Sequence, residues 1–464
     1  MRRWLVPVVL ALAAASSGVA ALRAPAAGGA EPGGPAPAVA VLSARRAPAF
    51  LARAVADARL RAQLEAALAN PTLGQAAASS CLVVHQGPRS VVALRAGAEL
   101  IPASNLKILT ATAALARLGP DERFVTEVRA SAPAAGGVVD GPLWLVGGGD
   151  PLLATADYAA HFENQPQVYT PLESLADAVV AAGVREVRGG VVGDESRYDS
   201  QRYIPTWKPT YITDFESGPA SALDVNDGFV SFAPLHVAAP QPDLHAATVF
   251  ATLLQARGVT VAGGPAEGRA PAATAVVASV PSPPLRDVVG EMLRESDNQT
   301  AELLVKELGH RFAGSGTTAA GLGVVRDTLA GLGLPVSQLS TVDGSGLDRS
   351  DRATCGLLLA AVDRAGPAGP LAAGFPVAGR DGTLAKRFAG NPAAGRLRAK
   401  TGSVDGVAAL SGWVDPPPGG TALSFSLVVN DLPRDALGRA LQEQVGAILA
   451  RYPEAPTPDA LAPH

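Results

Sequence analysis

Three groups of residues in this 464-residue chain have types and spacings suited to joint chemistry: Ser104 with Lys107, Ser296 with Asn298, and Lys400-Thr401-Gly402-Ser403. The first pair has the simplest logic. Ser104 and Lys107 lie three residues apart, and a helix starting near Ala103, after Pro102, would set them on one face. A serine hydroxyl attacks a carbonyl only when a base takes its proton, and a lysine is such a base only when held neutral. Bringing a lysine from about 10.4 to near 7 takes roughly 4 kcal/mol, which burial, a second cation or a helix N-terminus can supply. S-x-x-K alone also occurs in ordinary surface helices, so its meaning depends on the other two groups. Composition adds one pointer. Of 38 Lys+Arg only five are lysines, Lys107, Lys208, Lys306, Lys386 and Lys400. Arginine does not deprotonate, so a chain that writes its positive charge as arginine keeps lysine where an amine has reason to titrate.

The elements that must position these residues can be read from apolar spacing. Residues 48 to 69 and an alanine-rich run to Leu118 have helical periodicity. Cys81 to Gln86 and Ser90 to Ala96 read as two strands around a Gly87-Pro88 turn. Gly119 to about Pro284 changes texture to short strands, glycine turns and helices over 172–182 and 246–257. This stretch reads as an insertion that contributes none of the three groups, so it is expected to matter for placing a polymer and to be dispensable for the chemistry. Its Gly147-Gly-Gly-Asp150 lacks the following G-K-S/T of a phosphate loop and reads as a turn. A helix runs from Leu285 through Leu308, carrying Ser296 and Asn298. Further helices cover about 319–332 and 353–365, with Asp343-Gly-Ser-Gly-Leu347 as a turn before the second. Lys400-Thr-Gly402 precedes two strands, 406–414 and 421–430, which should pair antiparallel, and a helix over 434–451 would cover them.

Length and 48% hydrophobic content imply two or more domains. Lys+Arg 38 against Asp+Glu 42 leaves a net charge of −4 with no basic block, which excludes a nucleic-acid partner as the reading. The six histidines and two cysteines show no metal-ligand spacing, so no metal and no cofactor are expected. Residues 1–21, with Arg2-Arg3, an apolar run from Trp4 and small residues to Ala21, have the layout of a secretory signal; 22–46 reads as a disordered linker and 454–464 as a disordered tail. The protein is therefore expected to be exported to the periplasm or extracellular envelope, with membrane association left open. Cys81 and Cys355, each in an apolar context, are expected as buried free thiols rather than as a disulfide.

In order along the chain, Ser104-x-x-Lys107, Ser296-Asp297-Asn298 and Lys400-Thr401-Gly402 resemble the S-x-x-K, S-D-N and K-T-G set of penicillin-recognising serine enzymes. The 192-residue separation of Ser104 and Ser296 must house an insertion, which a compact β-lactamase lacks. With Gly147-Gly-Gly-Asp-Pro151, Asp343-Gly-Ser-Gly-Leu347 and Ala378-Gly-Arg-Asp-Gly-Thr-Leu384, the chain is similar to class C low-molecular-weight penicillin-binding proteins of the DacB type, from about Ala49 to Tyr452. That resemblance implies an α/β (α+β) transpeptidase-like catalytic domain, 47–118 plus 285–453, with an antiparallel sheet flanked by helices and interrupted by 119–284. It implies a D-alanyl-D-alanine carboxypeptidase, possibly also an endopeptidase, acting on peptidoglycan stem peptides and acylated by β-lactams. Ser104 would be the nucleophile and Lys107 its base. Ser296, bonded toward Lys107 and Lys400, would relay the proton, and Asn298 would orient the substrate amide. Lys400, Thr401, Gly402 and Ser403 would hold a terminal carboxylate, with a charged Lys400 helping to keep Lys107 neutral. Backbone N–H groups of Ser104 and Ser403 would bind the oxyanion. The alternatives are a serine β-lactamase and a non-catalytic wall-binding scaffold of the same fold.

Overall fold

The structure is a computed structural model that describes residues 47–416, 421–454 and 456–457. The expected signal, the linker and all but three residues of the tail lie outside the described residues. One five-stranded antiparallel sheet organises the site. Its strand order is Leu397–Val404, Val407–Val414, Leu423–Val429, Ser80–Gln86 and Arg89–Leu94, so the two ends of the chain share one sheet. Both faces are covered, which explains why every residue of Leu423–Val429 is buried although its sequence alternates. Leu423, Phe425, Leu427 and Val429 pack with Leu82 and Val84 under the Ala47–Leu68 and Asp435–Ala450 helices. The opposite face, with Cys81, Val83 and Val428, meets the Leu106–Leu118, Leu285–Glu295, Asn298–Ala313 and Cys355–Ala365 helices.

Cys81 and Cys355 form a disulfide, contrary to the expected free thiols. Strand and helix meet on this second face, which brings two residues 274 apart in sequence to a Cα–Cα distance of 6.0 Å. Apolar flanking residues gave no hint of that contact, because a buried thiol and a buried disulfide want the same surroundings.

Segment 119–284 has its own core around Leu143, Leu145, Leu175, Val179 and Phe250. Its second five-stranded sheet places Val125–Ala130 beside Ala275–Pro281, so the chain leaves and returns through adjacent strands. Phe124 and Ser282 close this neck: Phe124 N donates to Ser282 Oγ at 3.0 Å and Ser282 N to Phe124 O at 2.8 Å. The glycine triplet is a close approach of backbones. A Cβ on Gly148 would stand 2.0 Å from Val125 O and one on Gly147 2.2 Å from Ala222 O, which leaves room for no larger residue.

Candidate active site

Ser104 lies in a short 3-10 turn, Ala103–Asn105, that feeds the Leu106–Leu118 helix. The turn is strained at Ala103, whose φ of 46° is unusual for a residue with a Cβ. Two glycines let other backbones close on it. A Cβ on Gly346 would sit 2.0 Å from Ala103 O, and one on Gly402 3.0 Å from Pro102 O. Below the turn, Asn105 Nδ2 donates to Ser411 Oγ at 2.7 Å, tying it to the sheet.

The expected helix from Leu285 through Leu308 is two helices, Leu285–Glu295 and Asn298–Ala313. Ser296 breaks them with a left-handed backbone, φ 65° and ψ 32°, and Asp297 restarts the second by accepting N–H bonds from Gln299 at 2.8 Å and Thr300 at 3.1 Å. A serine carries no glycine signal for this conformation, and the S/D/N-x-x pattern of a cap was hidden inside an apolar periodicity. The break matters because it turns Ser296 and Asn298 toward the same cleft.

Lys107 is fully buried. Its Nζ lies 3.0 Å from Ser104 Oγ, 2.5 Å from Asn298 Oδ1 and 2.9 Å from Ser345 O. Asn298 Nδ2 donates to Glu216 O at 2.5 Å, which assigns the amide orientation and leaves Oδ1 as an acceptor. Two of the three neighbours of Nζ therefore accept only. A neutral amine satisfies both with its two N–H bonds and turns its lone pair to the Ser104 hydroxyl. Burial drives Lys107 down to about 8, against the pull of Asp297, Asp343, Glu302 and Glu216. Desolvation outweighs the four acids, and burial also raises the Asp297, Glu302 and Glu216 carboxyls.

Lys400, also fully buried, donates to Ser296 Oγ at 2.8 Å and to Thr401 O at 2.9 Å. It is held well below its ordinary range, first by burial and then by the Lys107 charge. This corrects two expectations. Ser296 bonds Lys400, whereas Lys107 spends its contacts on Ser104, Asn298 and Ser345; and burial, not a charged Lys400, keeps Lys107 low. Thr401 Oγ1 is 2.9 Å from Thr383 Oγ1. Leu397–Val404 is the outer strand of its sheet, and a bridge from Val377 to Arg398 covers only its start.

Ser104, Ser296, Asn298, Thr401, Gly402 and Ser403 all line one cleft of about 600 Å³. Across it stand Tyr158, Phe162, Phe215 and Glu216, so the insertion builds a wall of the site. It also reaches the machinery directly: Glu216 O holds Asn298, and Trp207 Nε1 donates to Asp343 Oδ2 at 2.8 Å. The expectation that 119–284 stands apart from the chemistry is therefore corrected. Ser345, Thr383 and Glu216 are site neighbours that sequence reasoning did not single out. The first two sit in the Asp343–Leu347 and Ala378–Leu384 stretches noted there, while Glu216, whose backbone carbonyl holds Asn298 and whose carboxyl pulls on Lys107, lies in no motif.

A sheet built from both chain ends, with helices on each face and the serine turn under its outer strand, is the architecture of penicillin-binding proteins. Penicillin binding protein 4 (dacB) from Haemophilus influenzae shares it with a TM-score of 0.67 at 21% identity, over 79% of this chain and 94% of that one. A predatory peptidoglycan endopeptidase from Bdellovibrio bacteriovorus gives a TM-score of 0.51 at 18% identity, over 81% of this chain and 93% of that one. The chain belongs to the D-Ala-D-Ala carboxypeptidase 3 (S13) family, which matches residues 60–234 and 230–452. A D-alanyl-D-alanine carboxypeptidase from Actinomadura sp. (strain R39) is 33% identical over 475 residues, 85% of each chain. The carboxypeptidase DacB of Mycolicibacterium smegmatis is 32% identical over 406 residues, covering 84% of this chain and 83% of that one.

Proposed function

We propose that the protein is an exported serine D-Ala-D-Ala carboxypeptidase, working on peptidoglycan stem peptides through an acyl-enzyme on Ser104. One observation carries the reading: a fully buried amine, held low by desolvation, stands 3.0 Å from a serine hydroxyl with two acceptor-only oxygens as its other neighbours, so its neutral form can bond both acceptors and turn its lone pair to that hydroxyl. Ser104 Oγ attacks the carbonyl carbon of the penultimate residue, and Lys107 Nζ takes its proton. The C–N bond breaks as the proton held on Lys107 passes to the leaving amine, with Ser296 Oγ, which Lys400 orients, as the relay across the cleft. Water then attacks the ester, Lys107, neutral again, takes its proton and hands it to Ser104 Oγ as the acyl C–O bond breaks, and the shortened peptide leaves.

Lys400 supports recognition of a free C-terminal carboxylate, because it is buried with a hydroxyl and a carbonyl as its partners. An arriving carboxylate supplies the counter-charge that lets this amine hold its proton. Thr401 and Ser403 add hydroxyls, and the half-open outer strand offers backbone groups to an extended peptide. Ser104 and Ser403 N–H groups serve as the oxyanion donors. Segment 119–284 is the inserted part of a catalytic domain made from 47–118 and 285–453. The disulfide supports an oxidising compartment outside the cytoplasm, and among the described residues no helix is long and apolar enough to cross a membrane.

Purified protein should gain one penicillin mass, mapped to the peptide containing Ser104, hold it for many minutes, and lose this capacity in Ser104→Ala. The same protein should release free D-alanine from a stem-peptide mimic. A folded protein that takes no adduct would end the acyl-serine reading, and fast penicillin turnover without D-alanine release would make it a β-lactamase.

A further inference from the structure

One of the three neighbours of Lys107 is a backbone carbonyl, which needs a second group to hold it in place. Ser345 O belongs to the Asp343–Leu347 loop, and Glu302 fastens that loop at two successive N–H groups: Gly344 N and Ser345 N donate to the same Glu302 Oε1, at 2.9 and 2.8 Å. Thr110 Oγ1 steadies the loop further by donating to Gly344 O at 2.7 Å. Glu302 stands four residues after Asn298 on the Asn298–Ala313 helix, so one helix face presents both the amide that touches Lys107 and the carboxyl that fastens the loop.

The carboxyl itself is unusual. Glu302 is 3% exposed, and its buried Oε2 has no hydrogen-bond partner among the described residues. A bare buried oxygen suits a neutral acid whose other oxygen takes both N–H bonds, and it suits an anion badly. We propose that Glu302 is a positioning residue for acylation: its neutral carboxyl aims the Ser345 carbonyl at Lys107 and so turns the Lys107 lone pair onto Ser104. The proposal rests on the acyl-serine reading above.

The charged groups around this arrangement are Lys107 on its own helix, Asp343 in the loop with Asp351 behind it, Asp297 at the helix start and Glu216 from the insertion. Arg326 and Asp327 on the packed Thr318–Gly331 helix face solvent. Burial, and then the Asp343 carboxylate, raise Glu302 to about 8, so in neutral solution it carries its proton. As an anion it would draw Lys107 toward the protonated form.

The test compares Glu302→Gln with Glu302→Leu in the full chain, reading the acylation rate by penicillin across pH and checking the fold by circular dichroism and urea unfolding. Glutamine keeps an oxygen for both N–H bonds and cannot ionise. Glu302→Gln should retain most of the rate at neutral pH and outrun wild type above about 8, where Glu302 ionises and draws Lys107 toward the protonated form. Glu302→Leu, if folded, should lose about ten- to hundredfold in the saturating rate with penicillin affinity little changed, as for a catalytic group misplaced by an ångström. A folded Glu302→Leu at the wild-type rate would overturn the proposal, as would a Glu302→Gln that is slow at neutral pH. That last comparison decides the matter even if the leucine variant fails to fold. Wild-type protein that takes no penicillin would overturn both this proposal and the acyl-serine reading, whereas failure of the variants alone would leave the latter standing.

Discussion

At the scale of single residues, the site is a question of which amine is neutral and where its lone pair points. Three of the five lysines, Lys107, Lys306 and Lys400, are buried, which fits a composition that reserves lysine for special places. Lys306 shows that burial alone does not make a base: it is paired with Asp199 and bonded to Gln201 O, so its role is structural. Among the described residues Lys107 has no such ion-pair partner. Lys107→Arg should therefore abolish acylation in a folded protein, because the guanidinium stays charged and cannot accept the Ser104 proton. A near-normal rate would move the base elsewhere, with Ser296 the next candidate. The same logic gives a pH dependence. The neutral fraction of Lys107 grows as pH rises through about 8, so the acylation rate should climb across that range. A rate flat through it would contradict the assignment.

At the scale of elements, the geometry depends on how closely a strand can approach a turn. Gly402 sits where a Cβ would be 3.0 Å from Pro102 O, 3.1 Å from Ala409 Cβ and 3.2 Å from Asn105 N. The contacts are backbone or packed side chain on both sides, so little can give way. Gly402→Val should push the outer strand from the serine turn at a cost of about 1–3 kcal/mol in stability. Acylation should fall more than tenfold, since an ångström at this spot is expensive. Urea unfolding together with penicillin labelling separates the two effects; a variant that loses neither would show that the strand is not held against the turn.

At the scale of the whole molecule, two ends of the chain and a 166-residue middle must be held in one arrangement. The Cys81–Cys355 disulfide crosslinks a strand from the first part to a helix of the last. It closes a long loop, so breaking it should lower stability by about 2–4 kcal/mol. The check is urea unfolding of Cys81→Ala/Cys355→Ala beside wild type, with alkylation of denatured, unreduced wild type expected to label no cysteine. An unchanged midpoint, or labelling of both thiols, would contradict it. The middle segment adds Trp207 against Asp343 and Glu216 against Asn298, and Lys208 pairs with Asp405 near the outer strand.

By itself, the sequence determined the family, a strand pair expected over 406–414 and 421–430 and found at Val407–Val414 and Leu423–Val429, most of the helices, and the three motifs whose Ser104, Ser296, Asn298, Thr401, Gly402 and Ser403 line the cleft. Those features rest on local spacing and on residue types that few other chemistries need in that order. Tertiary structure alone decided the rest. The break at Ser296 depends on packing that overrides a continuous apolar pattern, and the disulfide depends on a strand meeting a helix 274 residues away. Which lysine bonds which serine, and the hold of Ser345 O and Glu216 O on the machinery, were invisible for a further reason. A backbone carbonyl is present in every residue, so only the folded chain can show which one points at the amine.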